Sequence, residues 1–247
     1  MTICICDGTT EGIMTAVFDA WTIGVDDTSI AIDGMNNCEW FAEYHNVTTD
    51  NTKALRVMSA IRKKISWRAY EMVYTASISD NPERGNAILG FLRKGFKIGA
   101  SVVDDLQDDN VLKVFKLSKK TYREYEHYRE FLRFRKQGAY LMAKVDPKSN
   151  ILSMLADFFA DRFRQESFMI VDMNRSIAAM HIPDSECIIS HVDTEQIKGL
   201  DYDENEEEIR ILWEVFEKTI AIEARINEKL QKQNMPLIYR KYMDIRK

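Results

Sequence analysis

Cationic and aromatic side chains are concentrated in one segment near the middle of the chain. Residues 122–135 read YREYEHYREFLRFR, and the wider stretch 112–136 carries nine Lys or Arg against three Glu, a local charge of +6. Lysine and arginine neutralise phosphate groups, which makes the segment a candidate for contact with nucleic acid. The expected phosphate ligands are Lys119, Lys120, Arg123, Arg133 and Arg135.

This segment divides into two predicted elements. A turn of about 100° per residue favours a helix over residues 119–130, and the period of two that follows favours a hairpin over 131–145. We expect the tyrosine side of the helix to pack, although Tyr122 or Tyr125 could instead stack on a base. On the strand, Arg133 and Arg135 would share one face, where they could bind adjacent phosphates or pair with acids.

A second group of polar residues interrupts apolar patterns. Arg162 follows Phe158 by four residues on a predicted helix, and it would project onto the apolar stripe. An unpaired buried charge costs several kcal/mol, so Arg162 needs a partner. Asp172, at the end of the predicted strand FMIVD, could pair with Arg162, Arg175 or one of the strand arginines. The pattern fits a structural salt-bridge network as well as an acid–base site that uses Asp172 or Glu124.

The elements around these residues predict an α+β fold. Helices would pack on an antiparallel sheet built from hairpins at 131–145 and 168–182. The part before residue 110 would be mainly helical after a short first strand, which divides the chain into 1–110 and 111–247. Predicted helices cover residues 11–21, 51–77 with Leu55 on the buried side, 86–98, 151–163 and 205–231.

Composition narrows the functional class. The chain has 247 residues, 45% hydrophobic and 30% charged, with a net charge of −5, as in ordinary soluble globular proteins. No apolar run reaches the length of a membrane span, and no secretory signal is evident, so we expect a cytoplasmic protein without a membrane partner. The four cysteines do not form a disulfide framework, and no zinc or cofactor motif is present; we expect no metal and no cofactor.

Several longer segments carry a family resemblance. They are CDGTTEGIMTAVFDAW at the start, FLRF after Glu124, YLMAKVDPKSNILSMLADFFADRF, FMIVDMNR, and IAIEARINEKLQKQNMPLIY near the end. In this order they resemble a bacterial family assigned to DNA metabolism or DNA repair, whose C-terminal domain has unknown function. Members look like genomic companions of radical SAM proteins related to a DNA photoproduct lyase. The same domain is found fused to uracil-DNA-glycosylase-like domains.

The resemblance implies a set of site residues. The family pattern points to Glu124, Arg133, Phe134, Arg162, Asp172, Arg175, Arg225, Asn227, Gln231 and Pro236. The chain departs from the pattern at Phe158, where histidine is usual, and at Glu223, Ile226 and Arg240, where lysine, a basic residue and tryptophan are usual. The loss of these cations and of the histidine weakens the expectation of phosphate binding or catalysis.

Three functions remain open on these grounds. The leading hypothesis is a DNA-binding accessory protein that acts with a radical SAM enzyme in repair or modification. The second is an enzyme that acts on a nucleic-acid base or nucleotide through an Asp/Glu–Arg site. The third is a protein-interaction module that does not touch nucleic acid, for which a large exposed apolar patch would be the sign.

Overall fold

The computed structural model describes residues 1–35, 41–193 and 227–240, together with residues 195, 197, 211, 212, 215, 216 and 219. The chain divides into two compact units, Met1–Arg123 and Glu124–Lys247. The division falls inside one long helix, Asp109–Phe131, whose start lies at the boundary predicted near residue 110.

The first unit begins with a three-stranded parallel sheet. Its elements are β1 (Thr2–Cys6), α1 (Thr10–Ile23), β2 (Thr28–Ile32) and β3 (Glu43–Asn46), and the strand order is β2-β1-β3. The central strand places Cys4 between Ile30 and His45. The sequence predicted β1 and α1; the other two strands are additions to a part expected to be mainly helical.

Four helices complete the first unit. They are α2 (Asn51–Lys64), α3 (Trp67–Ser77), α4 (Arg84–Ile98) and α5 (Asp109–Phe131), the last of which continues into the second unit. The single helix predicted over 51–77 is interrupted because Ser66 adopts an extended conformation and its hydroxyl accepts from the Ala69 amide at 3.0 Å. Leu55, predicted to be buried, is 61% exposed, and the buried stripe of α2 consists of Ala54, Val57 and Ile61.

The core of the first unit lies between the parallel sheet and these helices. Its fully enclosed side chains include Cys4, Ile13, Val17, Ile61, Ile88, Phe91 and Leu92. Burial raises the pKa of the Cys4 thiol to about 11, so Cys4 is an unreactive packing residue at neutral pH.

The second unit contains a five-stranded mixed sheet. Its elements are β4 (Arg135–Gln137), β5 (Tyr140–Val145), α6 (Leu152–Arg162), β6 (Phe168–Asp172), β7 (Ile177–His181) and β8 (Ile188–His191), with sheet order β4-β5-β6-β7-β8. The α+β class and both hairpins are confirmed. Strands β5 and β6 are parallel, because α6 crosses over between them, so the sheet is not purely antiparallel.

The last predicted helix, 205–231, lies largely outside the described residues. A short helix, α7 (Glu228–Asn234), is described near the end, followed by a 3₁₀ turn over Leu237–Arg240. Across the described part of the chain, no helix combines the length and the apolar character that crossing a bilayer requires.

Candidate functional site

One face of α5 in the first unit is lined with cations. Lys113, Lys116, Lys120 and Arg123 follow one another at intervals of three or four residues, and all four are exposed. We refer to these four residues as the cationic face. Helix α5 forms this surface because its opposite side supplies apolar residues, Val111, Val114 and Leu117, to the core.

Acidic neighbours neutralise part of the cationic face. Lys113 Nζ lies 3.2 Å from Glu83, and Lys120 Nζ lies 2.7 Å from Asp80. Within the described residues, Lys116 and Arg123 have no ion pair, so they carry the charge that this face offers to a ligand. Lys119, also predicted to bind phosphate, is exposed beside this face with its ammonium 5.7 Å from the Phe115 ring centroid.

The two arginines predicted to share a strand face are not so arranged. Helix α5 continues to Phe131, and β4 begins only at Arg135, so Arg133 precedes the strand. Both arginines are half-buried, and each is already engaged by another group of the protein. Burial, with the nearby charge of Arg135, lowers the pKa of Lys144. The strand predicted from residue 131 is therefore wrong for Arg133, and phosphate binding by the two arginines stays a prediction.

Two of the three tyrosines of this segment are buried, and the third is half exposed. Tyr125 and Tyr128 are 8% and 5% exposed, which confirms that the tyrosine side packs and removes Tyr125 as a stacking side chain. The Tyr128 hydroxyl donates to Asp146 Oδ1 at 3.1 Å, and burial together with that carboxylate raises the pKa of Tyr128. Tyr122 is half exposed.

Three of the predicted polar-site residues do meet in the second unit, around the loop Pro147–Ser149. We name Glu124, Asp172 and Arg175 the polar cluster. Glu124 is 8% exposed, and its two oxygens accept from the Lys148 amide at 2.7 Å and the Ser149 amide at 3.0 Å. Because these amides precede α6, the carboxylate fixes the entry to that helix.

Asp172 binds the same loop through Arg175. Its carboxylate is fully buried; Oδ1 accepts from the amides of Asn174 and Arg175, and Oδ2 lies 2.8 Å from the Arg175 guanidinium. That guanidinium also donates to the carbonyl oxygens of Pro147 and Lys148. Arg175 thus joins a strand-end carboxylate to the loop, and the side-chain amide of Asn174 donates to the same Pro147 carbonyl at 3.0 Å.

The hydrogen bonds of the polar cluster stabilise the loop and do not present a carboxylate for proton transfer. Both carboxylates direct their acceptor atoms to protein donors that hold the loop in place. Arg162, one of the partners predicted for Asp172, is instead exposed at the end of α6, and the predicted alternative Arg175 forms the pair. The prediction that Arg162 projects onto the apolar stripe is therefore wrong, since the last turn of α6 leaves the core. This cluster gives no support to an acid–base site formed with Arg162.

The remaining family-pattern residues lie near the end of the chain or in the aromatic core. Asn227 precedes α7, where its Oδ1 accepts from the Leu230 amide at 3.0 Å as a helix cap. Arg225 lies outside the described residues, as does the side chain of Gln231. Phe134 packs edge-on against Phe159, Phe163 and Phe168. Phe158, where the pattern has histidine, holds the Arg129 guanidinium 5.2 Å from its ring centroid.

A polar turn lies at the end of β1. Asp7 Oδ1 accepts from the amide and hydroxyl of Thr9, and Oδ2 accepts from the Thr49 hydroxyl at 2.7 Å. Burial opposes ionisation, but these hydrogen bonds outweigh it and lower the pKa of Asp7. A Cβ added at Gly12 would collide with this carboxylate. An internal anion therefore occupies the place beside the start of α1 where a phosphate could otherwise bind.

An apolar groove lies between α1, α2 and α4. It has a volume of about 450 Å³ and is lined by Val17, Phe18, Trp21, Arg56, Val57, Ala60, Lys64 and Phe96. The Arg56 guanidinium lies 5.1 Å from the Phe18 ring centroid, and Trp21 meets Phe96 edge to face. The sequence reading missed this groove, although Trp21 at the end of the apolar stripe of α1 was a usable signal.

Comparison with known proteins places the chain in a family without assigning a function. No curated protein matches it. A family model described as a domain of unknown function, DUF4130, matches residues 82–244, about two thirds of the chain. Within the described residues, no group of three or more His, Cys, Asp or Glu could hold a metal ion. On the extent of the family match, the chain belongs to the DUF4130 family.

Proposed function

We propose that the protein binds DNA and that the cationic face of α5 contacts the phosphate backbone. The observation that carries this proposal is the exposure of four cations along one side of a single helix, two of them without an acidic partner in the described residues. Lys116 and Arg123 are seven residues apart, which separates them by about 10 Å along the helix axis. They can therefore contact separate phosphates.

The net charge of −5 is compatible with this surface. At physiological ionic strength, charges separated by more than about 8 Å are largely screened from one another. A phosphate therefore responds chiefly to the cations nearest to it. Acids elsewhere in the chain reduce long-range attraction more than they reduce contact at the cationic face.

The experiment is a binding titration with labelled duplex DNA across a salt series. The variant Lys116→Ala/Arg123→Ala should bind more weakly, and the slope of log K against log salt should decrease by about 1.8, since each lost phosphate contact contributes about 0.9. Arg162→Ala/Arg164→Ala is the matched control, because it removes the same charge from exposed positions elsewhere.

Two outcomes would contradict the proposal. One is that the folded wild type fails to bind at low salt. The other is a double variant whose affinity and salt slope equal those of the wild type. A parallel Arg133→Ala/Arg135→Ala variant distinguishes the α5 surface from the one predicted around β4, since only the surface that binds DNA will alter the slope.

The biological setting of this binding is also part of the proposal. The family resemblance supports a role in DNA metabolism or repair as an accessory to a radical SAM enzyme. Copurification of the two proteins from nuclease-treated extract would test this pairing apart from DNA binding itself.

The apolar groove of the first unit favours a second candidate function, binding of a partner protein. Helix α2 contains five cations and no acid, and two of these cations, Arg56 and Lys64, line the groove. An amphipathic helix with apolar side chains flanked by carboxylates would complement both the apolar lining and the charge.

A pair of synthetic peptides tests this second candidate. A helical peptide with leucines flanked by glutamates should bind and alter tryptophan fluorescence, and Trp21→Ala should weaken it by at least 10-fold. The same peptide with lysines in place of glutamates is the control. Equal binding of both peptides, or of neither, would argue against a groove for an acidic helix.

A further inference from the structure

We propose that the first unit also has a surface for single-stranded nucleic acid, in which a base stacks on Trp67 at the corner between α2 and α3. This inference rests on the proposed DNA binding, but it concerns a different surface and a different form of the ligand. The cationic face contacts phosphates alone, whereas this corner adds an exposed aromatic ring.

The aromatic side chains of this corner form a ladder along α3. Trp67, Tyr70 and Tyr74 follow at intervals of three and four residues, which places them on the same side of the helix. The Trp67 and Tyr70 ring centroids are 5.2 Å apart, and the Tyr70 and Tyr74 rings are stacked at 6.4 Å with an interplanar angle of 15°. The ladder therefore has one end in the fold and one at the surface.

Trp67 is the exposed end of this ladder. Its side chain is 58% exposed, whereas Tyr70 and Tyr74 are half-buried. The backbone below it is fixed, because Ser66 caps α3 and Ala69, Met72 and Val73 are buried in the core. A large apolar ring that is held in place yet left in water is available for stacking, and stacking on an aromatic ring accepts any base.

Three cations precede the exposed ring in the chain. Arg62, Lys63 and Lys64 form the last turn of α2 and are all exposed. The Arg62 guanidinium lies 4.9 Å from the Tyr70 ring centroid, so one charge is placed directly on the ladder. Arg68 is different, since it pairs with Asp104 at 2.9 Å. The Arg62 cation on the ladder, with Lys63 and Lys64 in the same helical turn, supplies the charge that non-specific single-strand binding combines with stacking.

The exposed ring is what selects a single strand over a duplex. In a duplex the bases are stacked on one another, so a surface tryptophan reaches only the backbone, and the cations alone contribute. In a single strand a base can leave its neighbours and cover the ring. The alternative ligand, an anionic membrane surface, would favour a broad apolar area, whereas Trp67 is the one exposed large apolar side chain of α3.

The test uses anisotropy of labelled oligothymidylate of about 12 nucleotides, within the site sizes of known single-strand binders, and a duplex of equal length. Trp67→Ala should weaken single-strand binding by about 5- to 150-fold, the range that base–aromatic stacking supplies. Duplex binding should change less than about 2-fold. Trp67→Phe should retain most of the single-strand affinity. Trp21→Ala is the matched control, since Trp21 is also exposed in this unit but lies in the apolar groove.

Each outcome decides the inference. If Trp67→Ala is folded by circular dichroism and binds the oligonucleotide as the wild type does, the inference is wrong. It is also wrong if the variant loses equal affinity for both probes, or if its loss appears only with phosphatidylserine vesicles. A wild type that binds duplex but not single strands overturns this inference and leaves the proposed function intact. A wild type that binds neither overturns both.

Discussion

The cationic face of the first unit and the polar cluster of the second both consist of charged side chains, but the two groups differ in their exposure to solvent. In the polar cluster, Asp172 is fully buried and Glu124 is 8% exposed, and their oxygens accept from backbone amides and a guanidinium. On the cationic face, Lys116 and Arg123 are exposed to solvent. Charges that hold backbone groups in place are bound to the fold, whereas charges in water are available to a ligand.

The comparison predicts opposite consequences of mutation in the two regions. Substitutions in the polar cluster should reduce the free energy of unfolding. Substitutions on the cationic face should alter binding and leave stability nearly unchanged.

The largest effect is expected for Asp172→Ala. The change leaves the Arg175 guanidinium and two backbone amides without their acceptor, and breaking a buried charge pair in this way should lower the free energy of unfolding by about 3 kcal/mol. Urea unfolding followed by circular dichroism measures it. Arg162→Ala, an exposed change, should remain within about 0.5 kcal/mol. A loss below about 1 kcal/mol for Asp172→Ala would show that the loop does not depend on this carboxylate.

Glu124→Gln should have the second largest effect. The amide that replaces one carboxylate oxygen points a donor at a backbone N–H, so one charge-assisted hydrogen bond is lost and the other is weakened. We expect a loss of about 2 kcal/mol in the same unfolding measurement. The control is Glu130→Gln on the exposed side of α5. Equal free energies of unfolding for the two variants would show that Glu124 does not stabilise the loop.

Thr49→Val should have a smaller and pH-dependent effect. The hydroxyl stabilises ionised Asp7, whose pKa is lowered in the folded state, so its contribution is present above the ordinary aspartate pKa of 3.8 and is lost as pH falls through the folded value. The variant should lose about 1 kcal/mol at pH 7 and approach the wild type in acid. A difference that is the same at both pH values would assign the loss to packing and not to the carboxylate.

Lys116→Ala should have the smallest effect on stability. The side chain is exposed on α5 and alanine favours a helix, so the free energy of unfolding should change by less than about 0.5 kcal/mol. Thermal unfolding provides the comparison with Asp172→Ala. A larger loss would mean that the cationic face supports the fold, and the contrast between the two regions would disappear.

Elements with strong local signals could be predicted from the sequence. The helical spacing of α1, the apolar run FMIVD of β6 and the Gln137-Gly138 turn each identify their element. The sequence predicts one helix in place of α2 and α3, because every residue from 51 to 77 tolerates a helical conformation. Only Ser66 marks the break between the two helices. A serine can also lie within a helix, and it is the hydrogen bond from the Ala69 amide to its hydroxyl that makes it a cap.

The site residues show where sequence reasoning ends. The charge of this segment identified Lys120 and Arg123 as phosphate ligands but not Lys113 or Lys116. It could not show that Glu83 and Asp80 neutralise two of the four, since both acids are distant in sequence. The sequence offered Asp172 several arginines as partners, and only the fold selects Arg175, which reaches it through a turn while Arg162 ends its helix in solvent. Trp67 is preceded by KKIS and followed by arginine, so the sequence shows a tryptophan among cations. A single predicted helix over 51–77 gave no reason to expect this tryptophan at an exposed corner.

The contact between Asp7 and Gly12 has a consequence for how this sequence can change over generations. The carboxylate of Asp7 fills the space that any side chain at position 12 would need. An alanine at 12 is therefore accommodated only where position 7 has become shorter or has turned away. Substitutions at positions 7 and 12 should therefore occur together, and the two positions should covary among related sequences.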